Sequence, residues 1–193
     1  MESVFARSLF MRPCRIAGVQ LRPYSLYHDF ALELLQSSYC YVGDAARTLG
    51  DTVQALIVCG LSVTDRLHPI ERAVQFPMLR AAWYCRVLAH GMGRTTADLN
   101  EHIAVYRSVP EVYRDVRSGH DVTKCSGAPW QWHTAVVLAA DAGFAWPDVW
   151  NLAVCEAMAI KAILNEREPG GPLIADRIRK ERERLRAGQR QAT

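Results

Sequence analysis

The stretch Trp130-Gln-Trp-His-Thr-Ala-Val-Val-Leu-Ala-Ala-Asp-Ala-Gly143-Phe-Ala-Trp-Pro147-Asp-Val-Trp-Asn-Leu-Ala-Val-Cys-Glu-Ala-Met-Ala-Ile-Lys-Ala-Ile-Leu164 decides the fold class. It reads as a helix, a tight corner at Gly143 and a second helix from Pro147. A residue without Cβ takes the left-handed stop of a helix at least cost. Proline suits a first helical turn, where its missing N–H would have had no partner. Asp148 then sets a negative charge against the positive end of the new helix. Val149, Ala153, Ala157, Ile160 and Leu164 recur at three- and four-residue steps, a single apolar stripe. Four of the five tryptophans, Trp130, Trp132, Trp146 and Trp150, lie in this hairpin. So much aromatic surface requires burial, in a core or against a partner. The remaining helices are expected to pack onto this pair.

Working outward, 193 residues, half of them hydrophobic, suit one domain with tails and a sizeable core. The expected division is an N-terminal arm over 1–14, a helical bundle over 15–167, and a hinge with a charged helix over 168–193. The fold class is all-α: a multi-helix bundle with a short extended segment or small hairpin near the N-terminus. That segment is Arg15 to Tyr24, which alternates weakly through Val19 and Leu21 and meets Pro23. Ser25 is placed to cap a helix through Leu26, Phe30, Leu34 and Leu35. Thr48-Leu-Gly-Asp51 has the form of a capping box and opens a buried helix to about Cys59. From Pro69 a stripe of Ile70, Ala73, Val74, Leu79, Trp83 and Val87 predicts another helix, kinked or split at Pro77. Thr95 opens a helix through Leu99, Ile103 and Tyr106, and Ser108 another through Val112 and Val116. Ser118 to Gly127 reads as a polar loop.

Glu168-Pro-Gly-Gly-Pro172 is the clearest hinge in the chain. Beyond it, seven Lys/Arg stand against three acids, a surplus of four in a chain whose formal net charge is +3. Arg177, Arg179, Lys180 and Arg184 belong to this segment. Its acids interrupt the positive face and no aromatic residue interleaves, which favours a protein partner over nucleic acid.

Six cysteines contain no C-x-x-C pair, and Cys59, Cys85 and Cys155 sit within apolar helical runs. They read as reduced, mostly buried thiols of a cytoplasmic protein. Zinc would want short knuckles of ligands, and the nearest pairs, Cys85 with His90 and His120 with Cys125, lack a second knuckle. Cys125 beside Lys124 is the one thiol placed for reactivity, yet no oxyanion hole or orienting acid stands at readable spacing. Glu156, within an apolar helix, is expected at a helix edge bonding a backbone N–H or an arginine. No cofactor loop is present, and no uncharged run reaches membrane-spanning length. These residues assign no catalytic, cofactor or metal group.

Three blocks carry a family resemblance: Gly18-Val-Gln-Leu-Arg-Pro-Tyr-Ser-Leu-Tyr-His28, Thr48-Leu-Gly-Asp-Thr-Val-Gln-Ala-Leu-Ile-Val-Cys59, and Pro129-Trp130 with Gly143-Phe-Ala-Trp-Pro-Asp-Val-Trp-Asn-Leu-Ala-Val-Cys-Glu-Ala157. Together they resemble small phage and prophage proteins of tail modules, described as tail assembly chaperones. The resemblance implies a helical, non-enzymatic protein that binds the tape-measure or tail-tube protein while the tube assembles. It supplies no catalytic residues. Contact is expected at Trp83, Trp130, Trp132, Trp146 and Trp150 and at the basic residues of the last segment. A head–tail joining or tail completion protein, and a cysteine-dependent enzyme, are the alternatives from other classes.

Overall fold

The computed structural model describes residues 14–40, 47–65, 68–107 and 129–166. Within them the chain is mostly helical, with one small two-stranded sheet. Strands β1 (Arg15–Ile16) and β2 (Val19–Gln20) form an antiparallel hairpin with Arg15 opposite Gln20 and Ile16 opposite Val19. Its two-residue turn holds Ala17 at φ 48° and Gly18 at φ 74°, so both central residues are left-handed, as a hairpin of this length demands. The expected N-terminal hairpin is therefore present. The arm over residues 1–13, the segment from Ser108 to Gly127 with Cys125, and the hinge and charged segment with Arg177, Arg179, Lys180 and Arg184 lie outside the described residues.

Helix α1 (Leu26–Leu34) starts after Ser25, but its box uses an unusual partner. Instead of a Glu or Gln, His28 accepts the Ser25 N–H through Nδ1 at 3.0 Å. Its Nε2 lies 2.8 Å from the Leu61 carbonyl. An acceptor on one side and a carbonyl on the other fix the neutral ring with its proton on Nε2. Helix α2 (Leu49–Gly60) has the capping box the sequence announces: Asp51 N–H donates to Thr48 Oγ1 at 3.1 Å, and Thr48 N–H to Asp51 Oδ2 at 3.2 Å.

Helix α3 (His68–Gln75) ends where Pro77 removes a ladder donor, and α4 (Pro77–His90) begins there with proline at its first position. The split is as expected, but the stripe is not. Ile70, Ala73 and Val87 are buried and Trp83 is half-buried, while Val74 and Leu79 face solvent. Cys85 is likewise exposed, because α4 buries little beyond Val87, whereas Cys59 and Cys155 are buried. Helix α5 (Met92–Arg107) begins earlier than Thr95 suggests. The Thr95 hydroxyl turns back to donate to the Gly91 carbonyl at 2.9 Å rather than capping a new start.

The Trp130 hairpin contains three helices, not two: α6 (Trp130–Asp141), α7 (Trp146–Asn151) and α8 (Val154–Glu166). Gly143 turns the first corner at φ 71°. The second helix is then broken at Leu152–Ala153 by tertiary pairing. Leu26 N–H donates to the Leu152 carbonyl and Val154 N–H to the Tyr24 carbonyl, each at 3.1 Å, bridging Ser25 to Ala153. Nothing in Asn-Leu-Ala breaks a helix by propensity; the chain before α1 competes for the backbone and wins. Glu156 accounts for itself at this break. Its Oε2 accepts the Ala153 N–H at 3.2 Å, satisfying a donor at the head of α8. Glu156→Ala is therefore expected to lower stability by about 1 kcal/mol, read as a shift of the thermal midpoint.

The hub of the core is α2, not the tryptophan hairpin. Thr52, Val53, Ala55, Leu56, Ile57, Val58 and Cys59 are all buried, and α1, α3, α4 and α5 pack around them. Helices α6 and α7 form a flank laid over α1, with α8 packed against α6.

Candidate functional site: an aromatic face on α6 and α7

Helix α6 places polar as well as apolar side chains inward and leaves large apolar ones outside, beside exposed His133. Its inward side carries Gln131, Thr134, Ala135 and Leu138, at steps of three and four, all buried. Its outward side carries Trp130, Trp132 and Val136, the last two at 43% and 45% exposure. A helix apolar nearly all round usually lies in a core, yet this one leaves half its girth in solvent. Asp141, at its C-terminal end, is its only Asp, Glu, Lys or Arg.

Polar residues face inward because α1 presents a buried acid. Asp29 accepts hydrogen bonds from Tyr24 Oη at 2.8 Å, from Arg107 Nε at 2.7 Å, and from Arg107 Nη2. Its other oxygen accepts from Gln131 Nε2 at 2.7 Å, and the same amide also reaches Glu33 Oε2 at 2.7 Å. Arg107, the last residue of α5, further donates to the carbonyls of Tyr39 and Cys40 at 3.3 and 3.4 Å in the 3-10 turn Ser38–Cys40. One carboxylate thus ties α1, α5 and α6 together. Burial, and then the Asp29 carboxylate beside it, push the Tyr24 phenol well up. Gln131 Oε1 and Thr134 Oγ1 are buried without a hydrogen-bond partner. The sequence reading missed this network. The available signal was Asp29 itself, an acid in register with buried Ser25, His28 and Leu32.

On the outside, the aromatic rings stack into one cluster. Trp132 and Trp146 lie 5.4 Å apart between ring centroids with planes at 73°, and Trp146 and Trp150 lie 5.8 Å apart at 80°. Trp132 to Trp150 is 5.6 Å, and Phe30 on α1 joins at 5.4 Å from Trp150 and 6.3 Å from Trp132. Such edge-on and tilted pairs are favourable arrangements of the ring quadrupoles. Trp150, only 4% exposed, is the buried base of the cluster, while Trp146 at 41% and Trp132 form its solvent-facing edge. Trp130 is exposed on the same helix but outside these ring contacts, and Trp83 sits apart on α4 with the Arg86 guanidinium 5.4 Å above its ring. The structure therefore brings together three of the five tryptophans.

A second apolar surface surrounds the Pro77 break, where Val74, Phe76, Met78 and Leu79 are exposed. Beside it a groove of about 370 Å³ runs between α2, α3 and α4, floored by Val53, Ile57, Ile70 and Ala73 and edged by Arg80 and Tyr84.

Several titratable groups elsewhere are buried or hydrogen-bonded within the fold. Burial brings His28 down to about 4, and burial also lowers His102, whose Nε2 lies 3.0 Å from the Arg22 carbonyl. Burial pushes the Cys59 thiol up to about 12 and Cys40 to about 11. His90 Nε2 lies 3.2 Å from Asp98 Oδ2. Among the described residues no three His, Cys, Asp or Glu side chains are grouped to hold a metal ion. No described helix is long and apolar enough to cross a membrane. In comparisons with protein-family models, curated proteins and solved structures, no match to the chain was found.

Proposed function

We propose that this chain is a non-enzymatic protein-binding factor that receives a partner on the α6–α7 aromatic face. The observation that carries the reading is the exposure of Trp132, Val136 and Trp146 on α6 and α7, while α6 turns polar Gln131 and Thr134 inward. A polar side chain turned inward needs a hydrogen-bonding site, and here Asp29 and Glu33 supply one to Gln131. Indoles turned outward need a cover that the described residues do not provide. Exposed tryptophans packed on a buried aromatic base make a rigid contact surface that loses little side-chain freedom on binding.

With the resemblance drawn from the sequence, the specific proposal is a tail assembly chaperone of a phage or prophage, acting in the host cytoplasm on the long helical tape-measure protein. Co-expressed with the tape-measure protein of its own tail module, the chain is expected to keep that protein in solution and to co-purify with it. The double variant Trp132→Ala/Trp146→Ala should weaken the complex by about tenfold or more while leaving the helical content intact. Retention at wild-type strength by that variant would remove the face from the function. Recovery of the chain as a stoichiometric part of purified particles would instead make it a structural tail component.

A further inference from the structure

Helix α4 turns an uncharged face to solvent. Val87 is its one fully buried side chain, and α2, α3 and α5 pack against the helix. Met78, Ala82, Cys85 and Ala89 lie within about 40° of the direction opposite Val87, with Ala81 and Leu88 along one margin. All six are exposed, Met78 at 84% and Leu88 at 57%. A surface helix ordinarily presents charge on its outer side, yet this stripe carries none over about three turns. Helix α4 contains no Asp or Glu. Arg86, at the other margin, is drawn back onto its own chain, over the Trp83 ring and 3.5 Å from the Gly18 carbonyl. Arg80 lies toward the Val87 side, at the edge of the groove. Val74, Phe76 and Leu79 continue the apolar surface around the Pro77 break. At these exposures the surface comes to on the order of 700 Å² per copy, close to the ~800 Å² that each partner of a standard stable interface buries.

We propose that α4 pairs with α4 of a second copy of this chain, antiparallel and two-fold symmetric about a point between Ala82 and Cys85. The stripe is self-complementary in that arrangement. Met78 meets Ala89, Leu88 meets Ala81 and Cys85 meets Ala82, so each bulkier side chain falls on a smaller one. A parallel pair would set Met78 on Met78 and Leu88 on Leu88, and leave alanine facing alanine across a gap. Antiparallel pairing also opposes the two helix macrodipoles. Isologous contacts of this kind are the commonest route to a soluble dimer. An interface of this size with few large anchors corresponds to a dissociation constant on the order of 10 µM. It uses none of the residues of the α6–α7 aromatic face.

Sedimentation of the full chain between roughly 1 and 100 µM is expected to show a monomer–dimer equilibrium. Ala82→Arg sets like charges beside the two-fold axis, at an exposed helix position that tolerates arginine. It should weaken the dimer at least about tenfold with the circular dichroism unchanged. The two Cys85 residues would stand about 4.5 Å apart along the helix axis, within reach of a short bis-maleimide. Cys85→Ser should abolish that link. In a Cys85→Ser background, Met78→Cys chains and Ala89→Cys chains should link to each other and not to themselves, because like positions stand about 16 Å apart along the axis.

A chain that stays monomeric at about 100 µM would overturn the proposal. So would a dimer that withstands Ala82→Arg, or one that dissociates instead in Trp132→Ala/Trp146→Ala, since either result places the pairing on another face. Self-linking of Met78→Cys would overturn the antiparallel register.

Discussion

Arg107→Ala is expected to destabilise the fold by about 3 kcal/mol, the lower end of what breaking a buried ion pair costs. Asp29 is buried to within 4% at its side chain, while Arg107 keeps 24% of its own in solvent, which moderates the loss. The variant strips Asp29 of the guanidinium and leaves it with Tyr24 and Gln131 as donors. It also releases the carbonyls of Tyr39 and Cys40, so the 3-10 turn loses its tie to α5. Urea unfolding of the wild type and the variant at pH 7 measures the difference. The double variant Arg107→Met/Asp29→Asn should recover a good part of it, since the uncompensated charge is then gone. A loss below about 1 kcal/mol for the single variant would mean that the network contributes little beyond a surface pair.

The second large effect is acid destabilisation, and His28 drives it. Its ordinary value of 6.5 falls to about 4 in the fold because of burial. The unfolded chain therefore binds a proton more readily than the folded one. The contribution is fully present above pH 6.5 and is lost as pH falls toward 4, a change of roughly 3 kcal/mol. Geometry explains the direction: Nε2 already carries the proton facing Leu61, so the incoming proton must go to Nδ1, where it opposes the Ser25 N–H. Both the start of α1 and its tie to the end of α2 loosen together. His102, lowered by burial and bonded to the Arg22 carbonyl, acts in the same sense, and Arg22 nearby adds to the pull on His28. Unfolding free energies at a series of pH values between 7 and 4 should show this slope. His28→Asn should be less stable at pH 7 and have a shallower slope; an unchanged slope would assign the acid sensitivity elsewhere.

Local chemistry was legible in the sequence wherever it was self-contained. Thr48 with Asp51, Pro77 at a helix start, and Gly143 at a left-handed corner each act within one turn of chain, and each stands where the residues place it. The all-helical class followed from the same signals. What could not be read was set by distant neighbours. The break at Leu152–Ala153 comes from pairing with Tyr24 and Leu26, more than a hundred residues earlier. Val74 and Leu79 keep the helical period of a buried stripe, yet α3 and α4 turn them outward.

The tryptophan hairpin reads as the centre of packing, because so much indole surface favours burial. It is a flank: Asp29 holds Gln131 inward, and Trp132 on the same helix is left facing out. The inward turn of Gln131 had a visible trace, its step with Thr134, Ala135 and Leu138, but its meaning depends on an acid a hundred positions away. Glu156 was legible only in kind: a helix-edge acid bonding a backbone N–H, at a helix start the sequence does not announce.

The proposed binding role requires the outward side of α6 and α7 to be covered by another protein. Acrylamide quenching of tryptophan fluorescence, with and without the proposed tape-measure partner, tests it most directly when Trp132 and Trp146 are each replaced by phenylalanine in turn. The free chain should show an accessible fraction that diminishes with each replacement, and complex formation should shield that fraction. An accessible fraction that persists unchanged in the complex would contradict the account.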